Sequence, residues 1–170
     1  VWGRHKDEID IINILETDGS LAESAGPYAS LDRYEARERV VADLDKLGWK
    51  SGALKAVWDN TRALDLLEKL PYVDASKGFG AIGHSLGGHN AIFTAVLDKR
   101  ISVLSSSCGF DAFPDYYAGA EGNWQAGRGW CQVRYMPRLA GYRGRLESIP
   151  FDFPELLGAL APRPFFVHAP

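Results

Sequence analysis

The sequence predicts an α/β fold built on a parallel sheet. Three observations carry that reading. Short apolar runs of strand character alternate with longer segments of helical period. One of those runs, "ISVLSSS", is continuously apolar or small, the pattern of a parallel strand covered on both faces. And "GFGAIGHSLGGHNAIFTAVLDKR", residues 78–100, passes from an apolar run through a glycine-rich turn into a helical pattern.

The chain has 170 residues, enough for one domain with a sizeable core. It is 46% hydrophobic and 24% charged, as a globular protein is. A formal charge of −3 offers no basic field to attract phosphates, so no nucleic-acid partner is expected. No apolar run approaches the roughly 20 residues of a membrane helix, so no membrane role is expected. The first residue is Val and the single Met is Met136, so the N-terminus reads as processed, trimmed or incomplete. It shows no signal peptide. Cys108 and Cys131 fit no metal spacing and read as free thiols rather than a disulfide. Compartment and oligomeric state stay open.

Taken in order, residues 1–30 are the least readable. "IDIINIL" has strand character, and "SAGPYAS" is a loop by its Gly, Pro and Ser content. Ala36, Val40, Val41, Leu44 and Leu47 then recur at helical spacing, with Gly48 as C-cap. A second helix spans about Ala53 to Leu70, with Leu54, Val57, Trp58, Leu64 and Leu67 as its buried side and Pro71 as its stop. "SKGFGAIGH" is a strand ending near Gly83. Leu86 to Leu97 is a helix with Ala91, Ile92, Ala95 and Val96 facing inward. "ISVLSSS" is the next strand. Residues 110–150 have no sustained period and read as loop with short helices. "FPELLGALA" is a short helix, and "RPFFVHA" is a last strand.

Ser85 sits where strand, sharp turn and helix meet, in the pentapeptide Gly83-His84-Ser85-Leu86-Gly87. A G-x-S-x-G alone is weak, but this context is what a nucleophile elbow requires. Gly83 and Gly87 keep the turn clear of side chains. The hydroxyl of Ser85 rises at the strand's carboxyl end, over a helix N-terminus with unpaired N–H groups. The Leu86 N–H is then placed to stabilise an oxyanion on a substrate attacked by Ser85. The bland alternative is a structural βα turn with Ser85 as a side-chain N-cap.

The blocks "IGHSLGGHNAIFTA", "SSCGF", "RYMP", "PFDFPELLGALAPRPFF" and "KSGALKAVWDNTRALDLLEKLPYVD" resemble the α/β-hydrolase superfamily. More narrowly, they resemble bacterial esterases of the acetyl xylan esterase and dienelactone-hydrolase-like group. The resemblance covers residues 45–170. Residues 1–44 form a poorly matched N-terminal segment of the same domain. It implies a three-layer α/β/α parallel sheet of the hydrolase type, incomplete at both ends. It also implies that Ser85 is the nucleophile and the Leu86 N–H half of the oxyanion hole. The triad acid and His are expected beyond Pro170, because such enzymes place them after the seventh and eighth strands.

Inside the chain, His89, His168 and Asp111 are the candidates for completing a triad, each with a likelier structural or solvent role. His84 and His5 are weaker still. Trp124, Trp130, Tyr116 and Tyr117 could stack on sugar rings or pack a loop. Arg134 and Arg138 could hold a carboxylate or pair on the surface.

The expected activity is hydrolysis of a carboxylic ester, of an acetylated carbohydrate or similar small molecule, through an acyl-enzyme on Ser85. The alternatives are a serine peptidase of the prolyl-oligopeptidase type and a non-catalytic hydrolase fragment. No cofactor and no metal is implied.

Overall fold

The computed structural model of the chain describes residues 44–168. The chain divides into two units, Val1–Lys50 and Ser51–Pro170. The expectations for residues 1–43, among them "IDIINIL", "SAGPYAS" and His5, lie outside the described residues.

In the first unit, a helix ends just before Gly48. The Gly48 N–H donates to the Asp45 carbonyl at 2.9 Å, and the Trp49 N–H to that of Leu44 at 2.8 Å. This bond pair needs a left-handed residue between helix and exit, and Gly48 supplies it at φ 81°.

The second unit is built on a three-stranded parallel sheet in the order β1-β2-β3. Its elements are α1 (Gly52–Leu67), β1 (Phe79–His84), α2 (Leu86–Leu97), β2 (Ile101–Ser107), α3 (Phe153–Leu160) and β3 (Phe165–His168). The alternation of strand and helix read from the sequence therefore holds.

Ser51 starts α1 by accepting the Leu54 N–H on its side chain at 3.2 Å. The helix ends at Leu67, ahead of Pro71, and the backbone continues in tighter turns, Lys69 to Leu66 and Leu70 to Leu67. Its buried stripe differs from the expected one. Ala53, Ala56, Val57 and Leu64 face the core, while Leu54 and Trp58 lie on the exposed side. Small alanines let α1 approach its neighbours closely, and Trp58 instead packs under the Lys55 and Arg62 cations.

Helix α2 lies across β1 and β2 and touches both α1 and α3. Leu86, Ala91, Ile92 and Ala95 are buried in it; Val96 is only partly so. Among the described residues the helices cover one face of the sheet. On the other face Ile82 and Phe166 stand 62% and 64% exposed. The apolar character of β1 and β3 on that side is the pattern of a doubly covered sheet.

Two polar devices fix the connections. Arg100 bonds Asp98 and reaches Asp65 and Glu68 of the α1 region, both at 2.8 Å. Asp152 caps α3 in a reciprocal box with Glu155 and also accepts the Phe113 N–H at 3.0 Å. The long segment between β2 and α3 is a run of short 3-10 turns. It carries its own aromatic core, Phe113, Trp124 and Trp130, which packs on Phe153 at the start of α3; all four are buried.

Candidate active site

Strand β1 delivers the chain to Ser85 in a conformation few non-glycine residues adopt, φ 51° and ψ −120°. Such backbone persists only where the surroundings impose it, and it costs about 1–3 kcal/mol. Here three features impose it. The Ser85 N–H donates to the Ser107 carbonyl of β2 at 2.8 Å. Its own carbonyl accepts the His89 N–H at 3.0 Å and so opens α2. And the crossing is so tight that a Cβ on Gly83 would lie 2.2 Å from the Gly87 carbonyl.

The Ser85 side chain makes no capping bond to α2. It is exposed at the carboxyl end of the sheet. A side-chain N-cap therefore does not account for this serine. The Leu86 side chain is buried, which anchors the first turn of α2 and with it the orientation of the Leu86 N–H.

A cleft of about 400 Å³ opens past the carboxyl end of β2, and neither Ser85 nor Leu86 is among its lining residues. Its lining includes Cys108, Asp111, Tyr117, Trp130, Gln132 and Arg134. Cys108 directly follows Ser107, whose carbonyl holds Ser85, so the cleft wall begins next to the elbow. Helix α1 braces the backbone that carries Arg134 and Tyr135 into the cleft: the Gly52 N–H donates to the Val133 carbonyl at 2.6 Å. A Cβ on Gly52 would meet the Arg134 backbone at 2.5 Å, so only glycine permits this approach.

The sequence candidates scatter. His89 is fully buried, its ring stacked on Trp130 with centroids 4.7 Å apart and edge-on to Tyr135 at 5.1 Å. Among the described residues neither ring nitrogen meets a hydrogen-bond partner in good geometry. Burial drives its pKa down to about 3, with a small opposing pull from the Gly109 backbone. A neutral, unpartnered imidazole inside an aromatic cluster is not placed to take a proton from Ser85. His84 and His168 are exposed and bond to Ser107 instead. Among the described residues no imidazole hydrogen-bonds the Ser85 hydroxyl.

Asp111 stands in the cleft wall, exposed. Tyr116 also lines the cleft, and burial raises its pKa, with Tyr117, Asp111 and Cys131 adding to the shift. Trp124 is core, packed edge-on against Phe113 at 5.7 Å. Trp130 is largely core and shows one edge to the cleft. Tyr117 is the exposed aromatic at the rim. Arg134 lines the cleft over the Tyr135 ring at 5.0 Å; Arg138 does not line it. Both cysteines are free, Cys108 exposed and Cys131 buried. Sequence reading missed Cys108, Phe110, Gln132 and Tyr135 as cleft residues. Only the position of Cys108, one past a strand's carboxyl end, carried a local signal.

Among the described residues no cluster of three or more His, Cys, Asp or Glu could hold a metal ion. No described helix is long and apolar enough to cross a membrane.

Residues 44–169 match the family described as glucuronyl esterase, fungi. The chain belongs to that family. Two solved glucuronoyl esterase structures from Solibacter usitatus agree with it. One is 31% identical with a TM-score of 0.54, over 66% of this chain and 29% of that one. The other is 28% identical with a TM-score of 0.57, over 69% and 30%. The glucuronoyl esterase catalytic domain from Hypocrea jecorina shares the fold, with a TM-score of 0.61 at 23% identity, over 95% of this chain and 43% of that one. The fold is thus of the α/β-hydrolase type, and the family is the glucuronyl esterases; nothing singles out the acetyl xylan esterase or dienelactone hydrolase group. A shorter likeness also exists, to valine–tRNA ligases. That of Lactococcus lactis subsp. lactis is 44% identical over 43 residues, and that of Lacticaseibacillus casei 48% over 48. The chain spans 5% of the length of either enzyme.

Proposed function

We propose that this chain carries the nucleophile and one wall of the substrate cleft of a carboxylic ester hydrolase acting on a glucuronoyl ester. The observation that carries the reading is the backbone of Ser85. A serine held at φ 51° between strand and helix, with an exposed hydroxyl that caps nothing, has no structural use that explains its strain. Family membership supplies the reaction class, and residues 44–169 are the part of the chain that matches it. The valine–tRNA ligase likeness concerns too little of those enzymes to carry an activity.

In this reading the Ser85 Oγ attacks the ester carbonyl and its proton passes to a base. The carbonyl oxygen becomes an oxyanion, which the Leu86 N–H stabilises. Collapse expels the alcohol and leaves an acyl group on Ser85. Water then attacks the acyl-enzyme, and the acid leaves. The base belongs to a part of the protein outside residues 44–168, since no described imidazole bonds Ser85. Arg134 and Gln132 supply donors for the polar groups of an acidic sugar, and Tyr117 an exposed ring for its apolar face.

The test is phosphonylation of the folded chain by a fluorophosphonate, with and without added imidazole as an external base, read by mass spectrometry. An adduct on Ser85 whose formation imidazole accelerates, absent in Ser85→Ala, supports the reading. A folded chain that forms no Ser85 adduct under either condition overturns it.

A further inference from the structure

We infer that Ser107 is the positioning residue of the elbow, holding both residues that lead into it. This rests on the reading of Ser85 as nucleophile. The register sets His84 of β1, Ser107 of β2 and His168 of β3 side by side across the sheet. The Ser107 hydroxyl lies 3.0 Å from His84 Nδ1 and 3.1 Å from His168 Nδ1. The Ser107 carbonyl accepts the Ser85 N–H at 2.8 Å. One residue thus fixes His84 through its side chain and Ser85 through its main chain. The next peptide extends the tie, because the Cys108 N–H donates to the His168 carbonyl at 2.9 Å. Cys108 begins the cleft wall, so the elbow, the cleft and the end of β3 share one hydrogen-bonded row.

The chemistry of the bridge is specific. A hydroxyl has one proton to give and two lone pairs to accept with. Cys108 Sγ, 3.6 Å from the same hydroxyl, is the weaker acceptor for its proton, so that proton is assigned to one Nδ1, while the other ring donates its Nδ1–H to the oxygen. In this arrangement one of His84 and His168 carries its proton on Nδ1 and the other on Nε2. An alanine at 107 keeps the backbone bond to Ser85 and removes this ordering. Threonine keeps the hydroxyl, and its extra methyl suits a strand.

The experiment compares wild type, Ser107→Ala and Ser107→Thr in the 170-residue chain. Long-range ¹H–¹⁵N spectra recorded above pH 8 read the imidazole tautomers. Wild type is expected to show one Nδ1–H and one Nε2–H ring among His84 and His168. Ser107→Ala is expected to move both toward the same averaged tautomer, and Ser107→Thr to restore the split. Imidazole-assisted phosphonylation of Ser85 is expected to slow by roughly tenfold in Ser107→Ala and to recover in Ser107→Thr, the size of losing one or two net hydrogen bonds at the elbow. Tautomers that do not respond to Ser107→Ala overturn the bridge. Unchanged phosphonylation with responding tautomers overturns the positioning role. No phosphonylation in wild type sinks the Ser85 reading, and with it any role in positioning a nucleophile, while the spectra still decide the bridge.

Discussion

A Cβ placed on Gly83 would lie 2.2 Å from the carbonyl carbon and oxygen of Gly87. Gly83 and Gly87 flank Ser85, and the atoms met are backbone, so no side chain can rotate to make room. Gly83→Ala is therefore expected to open the elbow rather than be absorbed. The loss should reach about 3 kcal/mol or more, at the severe end of overpacking. Urea unfolding checks it. A loss below about 1 kcal/mol would mean that β1 and α2 cross more loosely than this.

The strain at Ser85 gives a prediction with two arms. Glycine tolerates φ 51° and ψ −120°, and alanine does not. Ser85→Gly should be more stable than Ser85→Ala by about 1–2 kcal/mol, part of the strain of a residue in this region. Both should abolish phosphonylation. Equal stabilities by denaturant titration would show that the elbow is not strained.

How much of this was legible in the sequence depends on the range of the interactions. Helix α2 was readable to the residue because its start is set by a local device, the glycine turn, and its body by a periodic pattern. The strands were readable for the same local reason. The buried side of α1 was readable in part. Val57 and Leu64 are buried as their period predicts, but Leu54 and Trp58 carry the same period and are exposed, because Ala53 and Ala56 take the face where close helix approach favours small residues. The segment after β2 has no period to read. Its aromatics are placed by one another, so the sequence left Trp124 open between sugar stacking and loop packing, and it is core. The row of His84, Ser107 and His168 exists only through strand register, which no local window contains. Nor does any window show that the N–H groups opening α1 hold the backbone of the cleft wall.

His89 makes stability fall with acid. Its folded pKa is near 3, against 6.5 for a free imidazole. The unfolded chain therefore binds a proton between these values that the folded chain refuses. Stability from this group is complete above pH 6.5 and declines as pH drops toward 3, by about 1.4 kcal/mol per pH unit. His89→Phe keeps an aromatic ring in the cluster and removes the titration. It should flatten the stability profile across this window relative to wild type, while the carboxylates contribute equally to both. Parallel profiles would place a charged or solvated His89 in the folded protein.

Arg100 ties the loop before β2 to the α1 region through Asp98, Asp65 and Glu68. Its hydrogen bonds to Asp98 are the largest cause of that carboxyl's lowered pKa. Arg100→Met keeps much of the aliphatic stem and leaves Asp98, Asp65 and Glu68 with Arg62, which pairs with Asp65, as their remaining nearby cation. The cost should be about 1–2 kcal/mol, more than an isolated surface pair gives, because one guanidinium serves several partners. It should shrink in high salt, which screens the remaining repulsion. A variant that unfolds at the same urea concentration as wild type at low salt would reduce the network to a surface ornament.

The two cysteines should differ sharply toward a thiol reagent. Cys108 is exposed in the cleft wall, whereas Cys131 is buried and its thiol pKa is pushed up to about 11 by burial. The thiolate is the reacting species, so Cys131 lacks both access and charge. Iodoacetamide on the native chain should modify Cys108 alone, and Cys131 only at the rate of unfolding. Because Cys108 lines the cleft beside the elbow, the Cys108 adduct should also slow phosphonylation of Ser85 by at least several-fold. Fast labelling of Cys131 in the native state would contradict its burial, and an adduct on Cys108 that leaves Ser85 equally reactive would separate this cleft from the nucleophile.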